Sequence, residues 1–237
     1  MSLMAVGCSD AARSNWAEGE SGRVVRIQDG DTLALETGQS VRLVSIEAPA
    51  PGYRGREDAP FSEEAKRIME ALALGRQAKL YYPGLTRDRY DRALAQVFVT
   101  TETGKEIWLN EALVLEGAAW VRLYADTARG SDELWTAESK ARSDTSGLWA
   151  GSSPETDLAA AGQSDGQFVI LTVELAGAEP EGDECEHSVR STDILVRYRI
   201  SGLACSVRTD EPVEIRGWAR GGSVDIGTAL NIRPISQ

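Results

Sequence analysis

The sequence predicts a mainly β protein with helices (α+β), in which a five-stranded OB-type barrel with three helices precedes a small all-β domain. Short alternating or β-branched segments, bounded by turn residues, recur in both halves of the 237 residues. One amphipathic helix follows the third of these segments, and five strands with a helix after the third are typical of an OB-type barrel. Residues 151–166 are rich in Ser, Gly, Ala and Pro and therefore predict a linker between two domains.

The first domain is predicted to span residues 23–150, after a lead at 1–22 that shows no periodicity and is expected to be flexible. Its clearest helix begins at Ser62, has two glutamates in its first turn and ends at Gly75. The other predicted elements are strands at 24–28, 32–36, 41–46, 79–82 and 94–99, and helices at 110–116 and 131–142. The apolar side chains of these last helices are expected in the core, among them Leu113, Leu134 and Trp135.

The second domain, residues 167–237, is predicted to be a small β domain. Its expected strands lie at 168–175, 194–200, 213–218 and 229–235. The segment Glu214–Trp218 resembles a strand of an OB fold. The acidic stretch Glu179–Glu186 is expected to be a loop, and His187, the only histidine, is expected at the surface. Because that histidine lies in the second domain, no Ser-His-Asp triad is expected in the barrel.

The net charge of −12 restricts the partners that the protein can bind. Residues 151–237 carry 14 acidic against 7 basic side chains, and residues 23–150 carry 20 against 17. A general polyanion-binding protein is basic, because phosphate contacts supply most of its nonspecific affinity. Any nucleic-acid contact is therefore expected to be local. No apolar run approaches the length of a membrane-spanning helix.

Three cysteines bear on the compartment in which the protein works. A disulfide between Cys185 and Cys205 is the first interpretation, free thiols the second, and a zinc site with His187 the last, because the spacing matches no close-paired zinc pattern. A disulfide predicts an extracytoplasmic protein (periplasmic, secreted or lipid-anchored), with a cytoplasmic location as the alternative. The tetrad Ala5–Cys8 resembles a lipoprotein cleavage box, but an ordinary disordered start is the simpler interpretation.

Three short motifs in the first domain combine acidic and basic residues. Asp29–Thr32 (Asp-Gly-Asp-Thr) lies in a predicted hairpin turn, and Glu47 follows the strand that carries Arg42. Carboxylates at neighbouring strand ends can form an oxygen-lined site for a hard cation such as Ca²⁺. Arg42 has apolar neighbours that fix its guanidinium, whose planar fork can bind a phosphate through two hydrogen bonds. The third motif, Asp88–Arg92, is a second arginine cluster before an apolar strand.

In this order, the motifs resemble those of the staphylococcal nuclease (thermonuclease) family, and the resemblance extends over about residues 23–150. It implies a Ca²⁺-dependent nuclease that hydrolyses single-stranded DNA or RNA in a local arginine-lined cleft. By resemblance, the cation would be bound by Asp31, Glu47 and the Ala48 carbonyl, with Asp29 as a nearby or water-mediated acid.

The resemblance also assigns roles to basic and aromatic residues. Arg42 and Arg92 would bind the phosphate, whereas Arg89, Tyr90 and Tyr124 would contact the rest of the substrate. The simpler alternatives are that Arg42 is a structural ion-pair partner, that Arg92 only pairs with a neighbouring aspartate, and that Tyr124 belongs to the core.

One departure from the family pattern concerns the general base. The family's loop ends in a glutamate that activates the attacking water, and the matching residue here is Ala50. Glu57 is the nearest acidic substitute in the predicted loop. Three functions remain open: an impaired metal-dependent nuclease, a catalytically silent module that binds nucleic acid or nucleotides, and an extracytoplasmic interaction protein.

Overall fold

The computed structural model describes residues 13, 16–52, 55, 57–200, 205 and 211–235. These residues form two compact units. The first contains the described residues up to Arg122 together with Asp126–Ser153, and the second contains Leu123–Ala125 and the chain from Pro154 onward. The tetrad Ala5–Cys8 lies outside the described residues.

The first unit combines strands with α-helices. The strands are β1 (Ala17–Ile27), β2 (Thr32–Leu35), β3 (Ser40–Leu43), β4 (Ile46–Glu47), β5 (Gln77–Tyr82), β6 (Ala93–Thr100), β7 (Glu106–Trp108) and β8 (Trp120–Val121). The helices are α1 (Ser62–Ala73), α2 (Leu109–Leu115) and α3 (Asp132–Ser143), followed by a 3₁₀ turn at Gly147–Ala150.

Five of these strands close into a barrel. β1 pairs with β2 on one side and with β5 on the other, and β2–β3 and β5–β6 are further antiparallel pairs. A parallel pairing of β3 with β6 closes the ring. Buried side chains alternate along the strands, as in Val24 of β1 and Leu80 of β5, because a strand presents every second residue to the barrel interior. The predicted OB-type barrel with three helices is therefore confirmed.

The start of the barrel differs from the expected flexible lead at 1–22. Residues 17–22 belong to β1, which is 11 residues long. Trp16 precedes it and is buried, with its ring centroid 5.5 Å from that of Trp108 and its indole N–H donating to the Arg129 carbonyl at 2.8 Å. The Ser- and Gly-rich composition does not predict this part of β1. The segment is held in place by its pairing with β5 and by the buried Trp16 side chain.

The helices cover the barrel with their apolar faces. In α1 the buried residues include Ala65 and Met69. Leu113 in α2 and Leu134 in α3 are fully buried as predicted, whereas Trp135 is only half-buried.

The second unit is mainly β. Its elements are a short helix α4 (Leu158–Ala161) and strands β9 (Phe168–Val173), β10 (Leu175–Glu181), β11 (Glu184–Val189), β12 (Leu195–Arg199), β13 (Val213–Arg220), β14 (Ser223–Gly227) and β15 (Ile232–Pro234). The strand order is β10-β11-β12-β14-β13-β15, and β9 pairs with β13. The segment predicted as a linker instead contributes α4, whose Ala161 is buried in the hydrophobic core of this unit. In the described part of the chain no helix has the length and apolar character needed to cross a membrane.

The acidic stretch Glu179–Glu186 is not a loop, since it forms most of the β10–β11 hairpin. Residues 179–184 are exposed, and the alternation begins only in β11, where Cys185 is buried and Glu186 is half-buried. His187 is correspondingly buried rather than at the surface, and its ring stacks on Tyr198. Burial lowers the pKa of His187 below its ordinary value.

The Cys185–Cys205 disulfide is present, with a Cα–Cα distance of 5.4 Å. It confirms the first of the three interpretations of these cysteines. The Nε2 atom of His187 lies 3.6 Å from the Cys185 sulfur and 3.1 Å from the Tyr198 hydroxyl.

Candidate active site

The turn between β1 and β2 places two aspartates at one end of the barrel. The Asp29 carboxylate accepts the backbone N–H of Asp31 at 3.1 Å, which fixes the turn. Asp31 is buried, and its Oδ2 accepts the backbone N–H of Ala48 at 2.9 Å. The Thr32 hydroxyl donates to Oδ1 at 3.0 Å. Asp31 thereby joins the hairpin turn to the loop that follows β4.

Gly30 allows the close approach of this loop. A Cβ atom at Gly30 would lie 2.6 Å from the Cβ of Ala48 and 2.9 Å from the Cβ of Ala65 in α1. Such distances require backbone displacement, so any larger residue would push the Asp31 carboxylate away from Ala48. The glycine is needed here for space.

A bend between β3 and β4 positions Glu47. Ser45 adopts a left-handed conformation with φ of 65°, and its hydroxyl donates to the Thr127 carbonyl at 3.2 Å. The buried Gln96 amide donates to the same hydroxyl at 3.2 Å. After this bend, β4 pairs with β8, with Glu47 opposite Trp120. The polar network beneath the bend and this pairing hold the Glu47 backbone in place.

Arg42 lies between the two carboxylates. It is opposite Thr32 in the β2–β3 pairing, so its side chain rises beside the Asp29–Thr32 turn. One terminal nitrogen, Nη1, contacts Asp31 Oδ1, and the other, Nη2, donates to Glu47 Oε2 at 3.0 Å. Asp31 and Glu47 therefore converge on a single guanidinium group.

Burial also affects the third acid of this cluster. It raises the pKa of the Asp29 carboxyl above its ordinary value, although the positive charges of Arg42 and Arg92 oppose that change. Arg92 is therefore near enough to act electrostatically on the Asp29–Thr32 turn. A raised pKa marks a position where a negative charge is poorly solvated and a further cation would be favourable.

The turn at residues 88–92 orients Arg92. Asp88 accepts the backbone N–H groups of Tyr90 and Arg92 at 2.9 and 3.0 Å, and its other oxygen accepts Arg92 Nε at 2.7 Å. Burial favours a higher pKa for Asp88, but these hydrogen bonds outweigh it and lower the pKa. Because Nε binds Asp88, the terminal nitrogens of Arg92 remain available for another anion. The Gln39 amide, which donates to the Asp91 carbonyl at 3.1 Å, links this turn to the β2–β3 hairpin.

Tyr90 projects from this turn and is 65% exposed. The guanidinium carbons of Arg89 and Arg92 lie 4.8 and 5.7 Å from the centre of its ring. The turn thus presents an exposed aromatic face flanked by two cations, a combination that suits a nucleobase and its phosphate.

Tyr124 and Glu57 are the remaining predicted site residues. Tyr124 is exposed and lies in Leu123–Ala125, the segment grouped with the second unit. Glu57 is exposed in the loop after β4. Its neighbour Asp58 reaches back across that loop and accepts the Gly52 N–H at 2.6 Å, while the Ala59 N–H donates to the Ala50 carbonyl at 3.0 Å. Of the two acids, Asp58 is therefore the one that is hydrogen-bonded to the part of the loop that carries Ala50.

Arg122 is a site residue that the sequence motifs do not indicate. It follows β8, is 7% exposed, and its Nη1 lies 3.4 Å from Glu47 Oε2. Glu47 and Arg122 are 75 positions apart, and Arg122 belongs to none of the three motifs. The only sequence signal is an arginine beside the apolar pair Trp120–Val121, the same kind of position that singled out Arg42.

The residues present fit a hard divalent cation. Among the described residues, no three His, Cys, Asp or Glu side chains are grouped closely enough to hold a metal ion without other ligands. Asp31 and Glu47 nevertheless supply two convergent carboxylates, and the hydrogen bond from Ala48 keeps the backbone of that residue beside them. Carboxylate and carbonyl oxygens are the ligands that Ca²⁺ prefers.

Comparison with known proteins identifies the first unit. The family model described as staphylococcal nuclease homologue matches residues 40–151. An uncharacterized endonuclease of Escherichia coli O157:H7 is 31% identical over 136 residues, which cover 56% of this chain and 79% of that protein. The chain belongs to the staphylococcal nuclease family.

Other relatives have the same character. The thermonuclease of Staphylococcus hyicus is 26% identical over 131 residues, covering 54% of this chain and 75% of that protein. An uncharacterized endonuclease of Haemophilus influenzae is 31% identical over 137 residues, covering 56% and 67%. This membership in the staphylococcal nuclease family points to a hydrolase with nuclease activity, to nucleic-acid binding and to metal dependence. The family model ends at residue 151, so the second unit from Pro154 onward lies outside it.

Proposed function

We propose that this protein is a metal-dependent nuclease that hydrolyses phosphodiester bonds in single-stranded DNA or RNA, with Ca²⁺ as its cation. The observation that carries the proposal is the convergence of Asp31 and Glu47 on Arg42. It supports the proposal, because two hard oxygen donors and a guanidinium group, which could bind a phosphate, meet at one point of the barrel.

The cation would be held by Asp31, Glu47 and the Ala48 carbonyl, with Asp29 as a nearby acid. When bound, it supplies charge neutralisation at the phosphoryl oxygens and a more acidic water molecule. The chain's own residues contribute the fixed carboxylates, whose position depends on the Ala48 N–H and on the Ser45 bend.

Arg42 and Arg92 would stabilise the negative charge that develops on the phosphoryl oxygens as water attacks in line with the leaving oxygen. Each preorganised group of this kind typically contributes about 10²- to 10³-fold to the rate. Arg92 is suited to this role because Asp88 already fixes its Nε. Arg89 and Tyr90 would contact the neighbouring nucleotide in a local arginine-lined cleft, and Tyr124 is a further candidate contact.

The general base is the weak point of the site. A base is typically worth about 10²- to 10⁴-fold, and the Ala50 side chain cannot accept a proton. Glu57 and Asp58 are the acids of the same loop. The Asp58 carboxylate is the better placed of the two, because its hydrogen bond to Gly52 holds it on the segment that follows Ala50.

The test is cleavage of single-stranded DNA and RNA by the full chain with Ca²⁺ and with a chelator. Ca²⁺-dependent cleavage is expected, and Ala50→Glu should raise it toward the roughly 10²- to 10⁴-fold that a base contributes. Asp58→Asn and Glu57→Gln form a matched pair of neutral variants. If Asp58 acts as the substitute base, Asp58→Asn should lower the rate at least tenfold while Glu57→Gln leaves it near the wild-type value.

Ala50 itself favours a second candidate function, binding without cleavage. In that case the wild type and Ala50→Glu would leave both nucleic acids intact, whereas a nucleoside 3′,5′-bisphosphate would still bind in an Arg42- and Arg92-dependent manner. If neither cleavage nor binding occurs, the third function is the one left, namely an interaction protein that uses both units as a scaffold.

We also propose an extracytoplasmic location, periplasmic, secreted or lipid-anchored. The Cys185–Cys205 disulfide supports it, because structural disulfides persist mainly in oxidising compartments. Fractionation of the source cells, followed by thiol labelling of these cysteines with and without reductant, tests this proposal. A cytoplasmic protein with both thiols reduced would contradict it.

A further inference from the structure

A third arginine, Arg122, shares the carboxylate of Glu47 with Arg42. Its backbone N–H donates to the Ser45 carbonyl at 3.1 Å, so the residue is held against the bend that precedes Glu47. Its side chain is 8% exposed and that of Glu47 is 13% exposed, which leaves this pair poorly screened by water. The position is therefore determined by the β4–β8 pairing and not by a flexible surface contact.

Both guanidinium groups contact the same oxygen of Glu47. Arg42 Nη2 lies 3.0 Å and Arg122 Nη1 3.4 Å from Oε2. Among the described residues no donor contacts the other oxygen, Oε1. An ion approaching Glu47 can therefore take Oε1 while an arginine remains on Oε2.

The two arginines differ in their second partner. Arg42 also contacts Asp31, and it is the residue assigned above to the phosphate. When Arg42 turns toward a phosphate, Glu47 loses one of its two cations. Arg122 directly follows β8 and is not required to move, so it can keep Oε2 fixed.

Glu47 needs such a partner more than an aspartate would. Its side chain has one additional rotatable bond, and ordering that bond costs conformational entropy. An outer hydrogen-bonding partner that fixes a ligating carboxylate is typically worth 10- to 100-fold in metal affinity.

We propose that Arg122 is a positioning residue that holds Glu47 in its ligating orientation, so that this carboxylate can bind the cation while Arg42 binds the phosphate. This inference rests on the proposed metal-dependent nuclease function and deepens it. Arg122 itself contacts neither the cation nor the reacting atoms.

The experiment is titration of the metal-free full-length protein with Ca²⁺ by calorimetry, which needs no catalytic readout. Arg122→Ala should weaken Ca²⁺ binding by about 10- to 100-fold. A simple loss of positive charge would do the opposite, since removing a cation beside a metal site strengthens metal binding. Arg87→Ala is the matched control, because it removes a half-buried arginine between β5 and β6 that pairs with Glu20 and touches neither Asp31 nor Glu47.

Two further variants keep the proposal testable if Arg122→Ala does not fold. Arg122→Lys keeps the charge but places it on a more flexible, strongly hydrated side chain, so it should still weaken binding even if Arg122→Ala does not fold. In a Glu47→Asp background the loss caused by Arg122→Ala should be smaller, because the shorter acid has no extra bond to fix. Thermal unfolding of each variant identifies those that fold.

Several results would overturn the proposal. These are unchanged or tighter Ca²⁺ binding in Arg122→Ala or in Arg122→Lys, and an equal loss in the Glu47 and Glu47→Asp backgrounds. If the wild type binds Ca²⁺ and cleaves while the Arg122 variants bind equally well, only this inference fails. If the wild type shows neither Ca²⁺ binding nor cleavage, the proposed function fails together with it.

Discussion

Replacing Arg42 with alanine is expected to tighten Ca²⁺ binding while it removes cleavage. In the structure, Arg42 occupies the space between the two carboxylates proposed to bind the cation, with contacts to Asp31 and to Glu47 at 3.0 Å. A cation that binds both carboxylates must displace at least one of these contacts. Arg42 is therefore a competitor of the metal as well as a phosphate ligand.

The magnitude follows from the strength of such contacts. A hydrogen bond to a charged group contributes about 1.5 to 3 kcal/mol. The side chains of Arg42, Asp31 and Glu47 are only 16%, 6% and 13% exposed, so solvent screening reduces this little. Relief of one contact corresponds to about 10- to 150-fold in the dissociation constant for Ca²⁺. Cleavage should fall by about 10²- to 10³-fold, because transition-state charge loses one preorganised partner.

Calorimetric titration with Ca²⁺ and a single-stranded DNA cleavage assay measure the two effects separately. Arg92→Ala is the matched control, since Arg92 pairs with Asp88 and its side chain is 31% exposed. It should lose cleavage similarly but change Ca²⁺ affinity by no more than about fivefold, as partly exposed charges rarely interact by more than about 1 kcal/mol. Unchanged or weaker Ca²⁺ binding in Arg42→Ala would refute the competition.

Three further outcomes are expected. Asp88→Asn should slow cleavage by about tenfold or more, measured on single-stranded DNA, because it weakens the contact that orients Arg92 while leaving the arginine in place. Replacing Cys185 and Cys205 with serine should lower the free energy of unfolding by about 3 kcal/mol in urea denaturation, given the 20-residue separation that the disulfide closes. The second unit should lose stability as the pH falls below about 6.5, because burial lowers the pKa of His187 and the unfolded chain therefore binds the proton more readily. His187→Phe should remove this pH dependence of the free energy of unfolding. The same pH dependence in His187→Phe and in the wild type would contradict the prediction.

Local sequence patterns were sufficient for the barrel and for most of the acidic cluster. The predicted strands and the amphipathic helix appear at close to their expected positions, because alternation and capping residues act within a few positions of the chain. Asp31 and Arg42 could be expected to meet, since a hairpin turn and the strand paired beside it are adjacent in any β meander.

Predictions from composition were wrong where the structure depends on contacts with other segments of the chain. The acidic stretch Glu179–Glu186 looked like a loop, yet most of its residues pair with one another in the β10–β11 hairpin. His187 is buried because every second side chain of β11 faces the core, and His187 is one of them. The segment 151–166 looked like a linker, but Ala161 in α4 is part of the second core.

The sequence by itself determined the order of the strands, the acidic turn, the two arginine motifs and the alanine at the family's base position. These features depend on residue type and short spacing, which can be seen without coordinates. Only the tertiary structure placed Arg122 on Glu47 across 75 positions and joined Asp58, rather than Glu57, to Gly52 in the loop that carries Ala50. Such contacts arise from strand register and loop closure, because side chains far apart in the chain become neighbours only when their backbones are paired.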